Sequence, residues 1–224
     1  MKKIQILALL LLVSSSAFAS VQEYKDACMK GNADACDYAG DAYDEGDGVV
    51  KDDQEAYKYY LKACQLNSGY GCRWLGIYQD PDFDEYTTPK SYQSAFDSYT
   101  KGCNLEDSTS CNNMATAYKQ GKGVDKDLAL ARKYYIQGCV DMDDGDACAN
   151  LGYMYEVGQG VVIDHIAAAK YYTKGCDELE NGVSCYNLGL FFKSGVGVKK
   201  SQSQAILYFA KGCEYGDSDG CGEL

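Results

Sequence analysis

Apolar and small residues recur along the chain at helical spacing. In the first of two alternating patterns they lie three, four and seven positions after a cysteine, and this happens five times. Offsets of 0, 3, 4 and 7 trace one face of an α-helix. Glycine at the fourth position costs about 1 kcal/mol relative to alanine, so its recurrence predicts that another helix packs closely there. The residues at the three offsets are Ala39, Gly40 and Tyr43; Leu75, Gly76 and Gln79; Met114, Ala115 and Tyr118; Leu151, Gly152 and Tyr155; and Leu188, Gly189 and Phe192.

The second pattern is read backward from the next cysteine, with alanine eight positions before it and an aromatic residue four positions before it. These pairs are Ala56 and Tyr60, Ala95 and Tyr99, Ala131 and Tyr135, Ala168 and Tyr172, and Ala205 and Phe209. Between the two patterns stands Gly-x-Gly-Val in four of five cases, beginning at Gly46, Gly121, Gly158 and Gly195. Glycine ends helices in left-handed backbone conformations. The residues that follow, Asp52, Asp127, Asp164 and Ser201, are good N-caps for a second helix.

Each unit is therefore predicted to be an αα-hairpin, and five hairpins fit between Cys36 and Cys213. A partial second helix over 21–30 precedes them and a stub over 221–224 follows. One hairpin cannot bury its apolar face alone, but stacked neighbours can. We predict an all-α solenoid, a right-handed superhelix of αα-hairpin repeats counted as one domain over residues 20–224. The second hairpin departs from the pattern, since QDPDFDEYTTPKS (79–91) replaces Gly-x-Gly-Val and adds three residues, which leaves the geometry of that turn open.

The first 19 residues have the composition of a secretory signal peptide. Lys2 and Lys3 precede the apolar run Ile4–Val13, and Ala17–Ala19 offers a small-residue cleavage site. The run is too short to span a membrane, and no second apolar run follows. We predict cleavage after residue 19 and a secreted or periplasmic protein.

The formal net charge of −12 limits the classes of partner. An acidic surface repels nucleic acid phosphates and anionic lipid headgroups, so we expect neither as a partner. A basic peptide, a cationic ligand or a neutral glycan remains compatible with it.

Twelve cysteines form six sequence pairs, eight or nine positions apart, that bracket the connections between hairpins. An even count in an exported chain favours disulfides, and facing positions near a tight turn reach the required Cα separation. A zinc site would want cysteines two to four apart, and redox chemistry would want Cys-x-x-Cys. We predict one disulfide per repeat, no metal and no cofactor, with metal or redox use of the cysteines as the alternative. The pairs are Cys28 and Cys36, Cys64 and Cys72, Cys103 and Cys111, Cys139 and Cys148, Cys176 and Cys185, and Cys213 and Cys221.

The segment CANLGYMYEVGQGVVIDHIAAAKYYTKGC (148–176) resembles a full copy of the Sel-one-like repeat, an αα relative of the tetratricopeptide repeat. With a cysteine pair in each repeat and the signal-like N-terminus, the chain resembles the secreted cysteine-rich Sel-one-like proteins of bacteria, the Hcp family. The resemblance implies a repeat scaffold. It also implies an alternative function, penicillin binding with weak β-lactam hydrolysis, so whether the chain is an enzyme stays open.

Only one candidate for a catalytic motif occurs, because Ser98 and Lys101 match Ser-x-x-Lys of the penicillin-recognising serine enzymes. Their positions in the repeat argue against that function. Lys101 stands where other repeats also have lysine, and Ser98 stands where they have tyrosine. Partner motifs Lys-Thr-Gly and Ser-Asp-Asn do not occur, so we interpret the match as coincidental. His165, the one histidine, follows a predicted N-cap and is interpreted as a solvated surface residue.

The candidate binding residues lie two positions after the first cysteine of each hairpin, away from the core face. They are Tyr38, Trp74, Asn113, Asn150 and Asn187. An asparagine ladder can hydrogen-bond along a peptide or a glycan, and the aromatic members would add apolar anchors. Tyr78, Tyr153 and Tyr186 would deepen such a groove. We predict a scaffold that binds a protein, a peptide or a cell-wall fragment on its concave face, with a peptidoglycan fragment or a β-lactam among the candidate ligands. The alternative is that asparagine merely tolerates these positions.

Overall fold

The computed structural model describes residues 20–83 and 85–224, and the predicted signal peptide lies outside them. Within that part of the chain the protein is entirely helical, without a strand, and no helix is both long and apolar enough to cross a bilayer. The all-α solenoid of helical hairpins is confirmed. The helices are α1 (Val21–Met29), α2 (Ala33–Glu45), α3 (Asp53–Gln65), α4 (Gly69–Gln79), α5 (Tyr92–Asn104), α6 (Ser108–Gln120), α7 (Leu128–Ile136), α8 (Gly145–Val157), α9 (His165–Thr173), α10 (Gly182–Ser194), α11 (Gln202–Glu214) and α12 (Ser218–Gly222).

Four of the hairpins turn as their sequences predict. The first helix of each ends at a glycine with φ between 73° and 83°, a left-handed conformation that residues with a Cβ rarely adopt. The second helix then begins at the predicted N-cap. Asp52, for example, accepts hydrogen bonds from the backbone N–H groups of Gln54 and Glu55 at 3.0 and 3.1 Å.

The recurring helix glycine marks the closest approach of the two helices in a hairpin. A Cβ built on Gly152 would lie 2.6 Å from the ring of Tyr172, and the glycines of the first, second and fifth hairpins face equivalent rings. Real Cβ atoms essentially never come that near another heavy atom. The predicted close packing at this position is therefore confirmed, and the absence of a side chain is what admits the ring.

The core consists of these rings and of aliphatic side chains from the first helices. Tyr60, Tyr172 and Leu151 are fully buried. Each buried tyrosine also needs a partner for its hydroxyl. The Tyr60 hydroxyl donates to Asp41 at 2.8 Å and the Tyr172 hydroxyl donates to Glu156 at 2.6 Å. Acidic residues of the first helices therefore supply the hydrogen-bond acceptors for these two buried hydroxyl groups.

Six disulfides connect the predicted partners, with Cα–Cα separations of 4.4 to 4.7 Å. No cysteine of the described chain is free, so none is available as a thiolate ligand or redox nucleophile. Each connecting loop contains one residue with a positive φ, three positions after the first cysteine in the short loops and four positions after it in the long ones. These residues are Gly31, Asn67, Glu106, Asp143, Glu180 and Gly216.

The two longer connections take up their additional residue in the helix that precedes them. Helix α7 ends in a π-helical turn at Gln137–Asp141, and α9 ends in another at Lys174–Glu178. A π turn accommodates a single inserted residue without interrupting the helix. The cysteines nine positions apart therefore reach the same separation as those eight apart.

The turn over 79–91, which the sequence left open, folds back against the end of α4. The backbone N–H of Ser91 donates to the Gln79 carbonyl at 2.7 Å, which closes the loop. The Tyr86 ring stacks on Tyr78, with ring centroids 3.9 Å apart, and the Thr88 hydroxyl donates to the Tyr78 carbonyl. The described parts of the long turn, 79–83 and 85–91, thus extend the second hairpin.

Candidate binding face on the first helices

Side-chain hydrogen bonds join the first helices of successive repeats. The Asn150 amide on α8 donates to Asn112 Oδ1 on α6 at 3.0 Å. Lys119, also on α6, donates to Asn150 Oδ1 at 3.0 Å. Burial lowers the pKa of Lys119. The polar positions of neighbouring repeats therefore form a connected surface, which we call the first-helix face.

A surface depression of about 350 Å³ lies on this face and spans α6, α8 and α10. It brings together two of the predicted binding residues with side chains outside the predicted set. That set, one residue per hairpin, is called the predicted column below: Tyr38, Trp74, Asn113, Asn150 and Asn187. Tyr153 and Val183 are 50% and 47% exposed, so the depression offers apolar contact beside its amides. Its principal lining residues are Asn112, Asp146, Asn150, Tyr153, Val183 and Asn187.

The sequence analysis missed two polar lining residues. Asn112 directly precedes a member of the predicted column, and Asp146 lies four positions before Asn150 on the same helix face. The spacing of Asp146 from Asn150 could have identified Asp146 from the sequence. Nothing in the sequence identifies Asn112, because only the packing of α6 against α8 places it beside Asn150.

The aromatic members of the predicted column do not join the asparagines. Trp74 is half-buried and stacks on Tyr60, with ring centroids 5.8 Å apart and planes at 15°. Tyr38 is 54% exposed and packs on Tyr24, at the N-terminal end of the array. Tyr78 is fully buried and donates to Asp44 at 2.6 Å, so the expectation that it deepens a groove is wrong.

Asn113 lines a separate cavity of about 160 Å³ under the long turn of the second hairpin. Acidic, aromatic and basic side chains meet there, since Lys122 forms an ion pair with Asp82 and the Tyr92 hydroxyl donates to Asp82 at 2.7 Å. These two hydrogen bonds hold the pKa of Asp82 below its usual value. The departure of 79–91 from the repeat was the sequence signal for this cavity.

The two catalytic candidates are engaged with groups other than each other. Ser98 is 8% exposed and donates to the Gln79 side chain at 2.7 Å, while the Lys101 ammonium donates to the Cys64 carbonyl. In the other four hairpins two stacked rings, 5.3 to 5.9 Å apart, occupy the positions of Gln79 and Ser98. The unusual serine is therefore matched by an equally unusual glutamine, and the pair replaces a ring stack with a hydrogen bond.

His165 begins α9, but it is not the solvated residue that the sequence suggested. Its ring lies edge-on to Phe191 with centroids 6.1 Å apart, and its Nδ1 atom is buried without a hydrogen-bond partner. The turn that ends the next first helix covers it, because a Cβ on Gly197 would meet the His165 carbonyl at 2.3 Å.

Asp37, on α2, is a carboxyl group whose pKa is raised by burial. One oxygen accepts a hydrogen bond from the Ser68 hydroxyl at 2.6 Å, and the other is buried without a partner. Burial raises the pKa of Asp37 to about 6, and the nearby carboxylates of Asp41 and Asp34 add to the shift.

A family model of the Sel1 repeat matches residues 33–68, 108–139, 145–178 and 182–217, together more than half of the chain. The second hairpin, with its long turn, lies outside the matched segments. Among curated proteins, none matches this chain.

Solved structures share the fold. A Sel1 repeat protein from Oxalobacter formigenes superposes with a TM-score of 0.77 at 23% identity, over 89% of this chain and 80% of that one. A protective antigen of uropathogenic Escherichia coli strains, displaying an SLR fold, gives a TM-score of 0.73 at 27% identity over 89% of this chain. The match covers 42% of the antigen, so this chain spans less than half of its length. Cysteine-rich protein B of Helicobacter pylori is 29% identical over 79% of this chain and 98% of its own, with a TM-score of 0.36.

The matched repeats, the helical hairpins and the disulfide in each repeat agree with one another and confirm the resemblance to cysteine-rich Sel-one-like proteins. Repeats of this kind generally mediate protein interactions. The chain belongs to the Sel1 repeat family.

Proposed function

We propose that this protein is an exported, disulfide-stapled scaffold that binds an extended segment of a protein or peptide on its first-helix face. The observation that carries the proposal is the depression spanning three repeats, where Asn150 and Asn187 lie beside exposed Tyr153 and Val183. Binding faces of repeat proteins combine contributions from successive repeats in this way.

The chemistry of the depression suits an extended main chain. A peptide backbone offers a donor and an acceptor at each residue, and an asparagine amide both donates and accepts. Tyr153 supplies a rigid ring with a polar end, the type of residue that carries much of the energy in protein interfaces. A cell-wall glycan could use the same amides, which makes it the competing ligand class in the test.

Export is supported by the chemistry of the cysteines. Six disulfides in a chain of this size are typical of an oxidising compartment outside the cytoplasm. The signal-peptide pattern in residues 1–19 points the same way.

Selection from a phage-displayed library of linear peptides tests the binding face. We expect the wild-type chain to enrich related sequences, and a variant carrying Asn150→Ala and Asn187→Ala to lose their binding. A control carrying Asn104→Ala and Gln202→Ala, at exposed positions of second helices, should retain it. Trp74 is left unchanged because it packs on Tyr60. Equal binding by the first variant would refute the proposed face. Failure to enrich any peptide, together with binding to a glycan array, would refute the ligand class.

The alternative, a β-lactam hydrolase, rests on the family resemblance. Its only motif, Ser98 with Lys101, is engaged in hydrogen bonds to Gln79 and to the Cys64 carbonyl, which supports the scaffold over the enzyme. Nitrocefin turnover by the pure protein and by Ser98→Ala decides between them. Turnover that is present in the wild type and lost in the variant would favour the enzyme.

A further inference from the structure

The cavity under the long turn has the size of a single side chain. Its volume of about 160 Å³ is well below the roughly 300–1,000 Å³ of sites that enclose drug-sized ligands. It lies between the turn after α4, the start of α5 and the last two turns of α6. Of the five predicted binding residues, Asn113 is the one that lines it.

The walls of the cavity combine aromatic rings with two carboxylates. Phe96 and Tyr99 come from α5, and Asp80 and Asp82 come from the long turn. Asp80 accepts the backbone N–H of Asp82 at 3.0 Å and the Tyr99 hydroxyl at 3.4 Å, and no ion pair of the described residues includes it. Rings beside carboxylates attract organic cations, because the ring face and the carboxylate are both negative.

One cation of the chain already uses this chemistry. The Lys122 ammonium pairs with Asp82 and lies 5.2 Å from the centroid of the Tyr92 ring. Among the described residues that line the cavity, two are carboxylates and one is an ammonium. The net charge of −12 adds a long-range attraction for basic partners.

We propose that this cavity receives an arginine side chain of the bound segment, with the guanidinium between the carboxylates of Asp80 and Asp82 and its plane against the aromatic wall. A guanidinium is planar, stacks on rings and presents several donors in a fixed fork, which an ammonium does not. The arginine's place within a peptide rests on the proposed function. The affinity of the cavity for a guanidinium does not.

A direct test titrates the full-length isotope-labelled chain with Nα-acetyl-arginine amide and follows backbone amide shifts. Nα-acetyl-citrulline amide, which has nearly the same shape without the charge, is the matched probe. We expect the arginine probe to shift the amides of Asp80, Phe96 and Gln120, and the citrulline probe to leave them in place. Equal shifts from both probes, or none at the cavity, would overturn the assignment.

Two substitutions should change the affinity in opposite directions. Asp80→Asn keeps the acceptor for the turn but removes the charge, so the arginine probe should bind about tenfold more weakly. Lys122→Met removes the competing cation and should tighten binding severalfold. Asp219→Asn and Lys126→Met are the charge-matched controls, since both residues are exposed outside the cavity, and they should have little effect. An unchanged affinity in Asp80→Asn, or weaker binding in Lys122→Met, would contradict the proposal.

The two proposals fail separately. If the wild-type chain selects no peptide while the arginine probe still binds, the first-helix face is refuted and the cavity remains a guanidinium site. Peptides that bind the face with no requirement for arginine, together with a silent probe titration, would refute the cavity alone.

Discussion

At the scale of single residues, burial of Asp37 makes the ionisation of its carboxyl group oppose folding. Asp37 has a buried oxygen without a partner, and its pKa of about 6 lies above the value of about 3.9 expected in an unfolded chain. Since the folded state favours the protonated form, ionisation destabilises the fold. The penalty is absent below about pH 4 and complete above about pH 7.

Replacing Asp37 by asparagine should therefore change stability in a pH-dependent way. Asparagine still accepts from Ser68 but carries no charge, so Asp37→Asn should be more stable relative to the wild type at pH 7.5 than at pH 4. Urea unfolding of both proteins across this range measures the difference in stability, which should grow between about pH 4 and pH 7. A difference that is the same at every pH would show that burial does not perturb this group.

The buried faces of the helices, the close contacts at glycine and the N-caps could be predicted from the sequence, because each depends on the spacing of residues close together in the chain. It did not give the partner of Ser98. Gln79 and Ser98 are exceptions on different helices, and only their contact explains both. The binding column was likewise incomplete, since the position that holds Asn150 and Asn187 at a common depression places Trp74 against a core ring.

At the scale of the element, a hairpin is held together where its second helix places an aromatic ring over a glycine of the first. Alanine has the better helix propensity by about 1 kcal/mol. At Gly152, however, the added methyl group would lie 2.6 Å from the Tyr172 ring, which is fully buried and cannot move aside freely. The third hairpin has alanine here, Ala115, packed in the same core cluster as Tyr135.

Gly152→Ala should therefore destabilise the protein, by about 1 kcal/mol or more, because forced overpacking exceeds the gain in propensity. Ala115→Gly is the matched change and should also destabilise, through lost propensity and lost contact. Thermal unfolding of both variants provides the measurement. If propensity alone governed the position, Gly152→Ala would stabilise by about the amount that Ala115→Gly costs.

Turns were predictable where their residues restrict the backbone and not elsewhere. Gly-x-Gly-Val specifies a left-handed helix end, and four hairpins follow it. The turn over 79–91 lacks that motif, and its two prolines, Pro81 and Pro89, fix only their own φ angles. Its shape depends on a tertiary contact, the stacking of Tyr86 on Tyr78. The π turns could not be predicted from the local sequence either, since they arise from fitting one more residue between two bonded cysteines.

At the scale of the whole molecule, stability is distributed along a line of neighbouring hairpins. Each helix packs mainly on those next to it in sequence, so the array behaves as coupled units in one dimension. A disulfide closing a loop of about nine residues stabilises by roughly 2.5 kcal/mol on the chain-entropy model. The effect of removing one should depend on its place in the line.

Alanine at both Cys213 and Cys221 should loosen only the short α12, whereas alanine at both Cys103 and Cys111 should uncouple the two halves of the array. Hydrogen exchange is the appropriate measurement, since it reports opening segment by segment. We expect lost protection confined to the C-terminal end in the first variant and spread over α5 to α7 in the second. Equally local effects would show that the hairpins are independent rather than coupled.

The π turns have a consequence for protein engineering. Because the π turns at the ends of α7 and α9 take up the one additional residue between the bonded cysteines, the helices that follow keep the same pattern of caps and contacts. The length of the connection between two hairpins can therefore change without changing how the hairpins pack. The segments between bonded cysteines are therefore natural sites for grafting foreign epitopes or affinity tags, since the covalent bridge at the base of each would fix the ends of the insert.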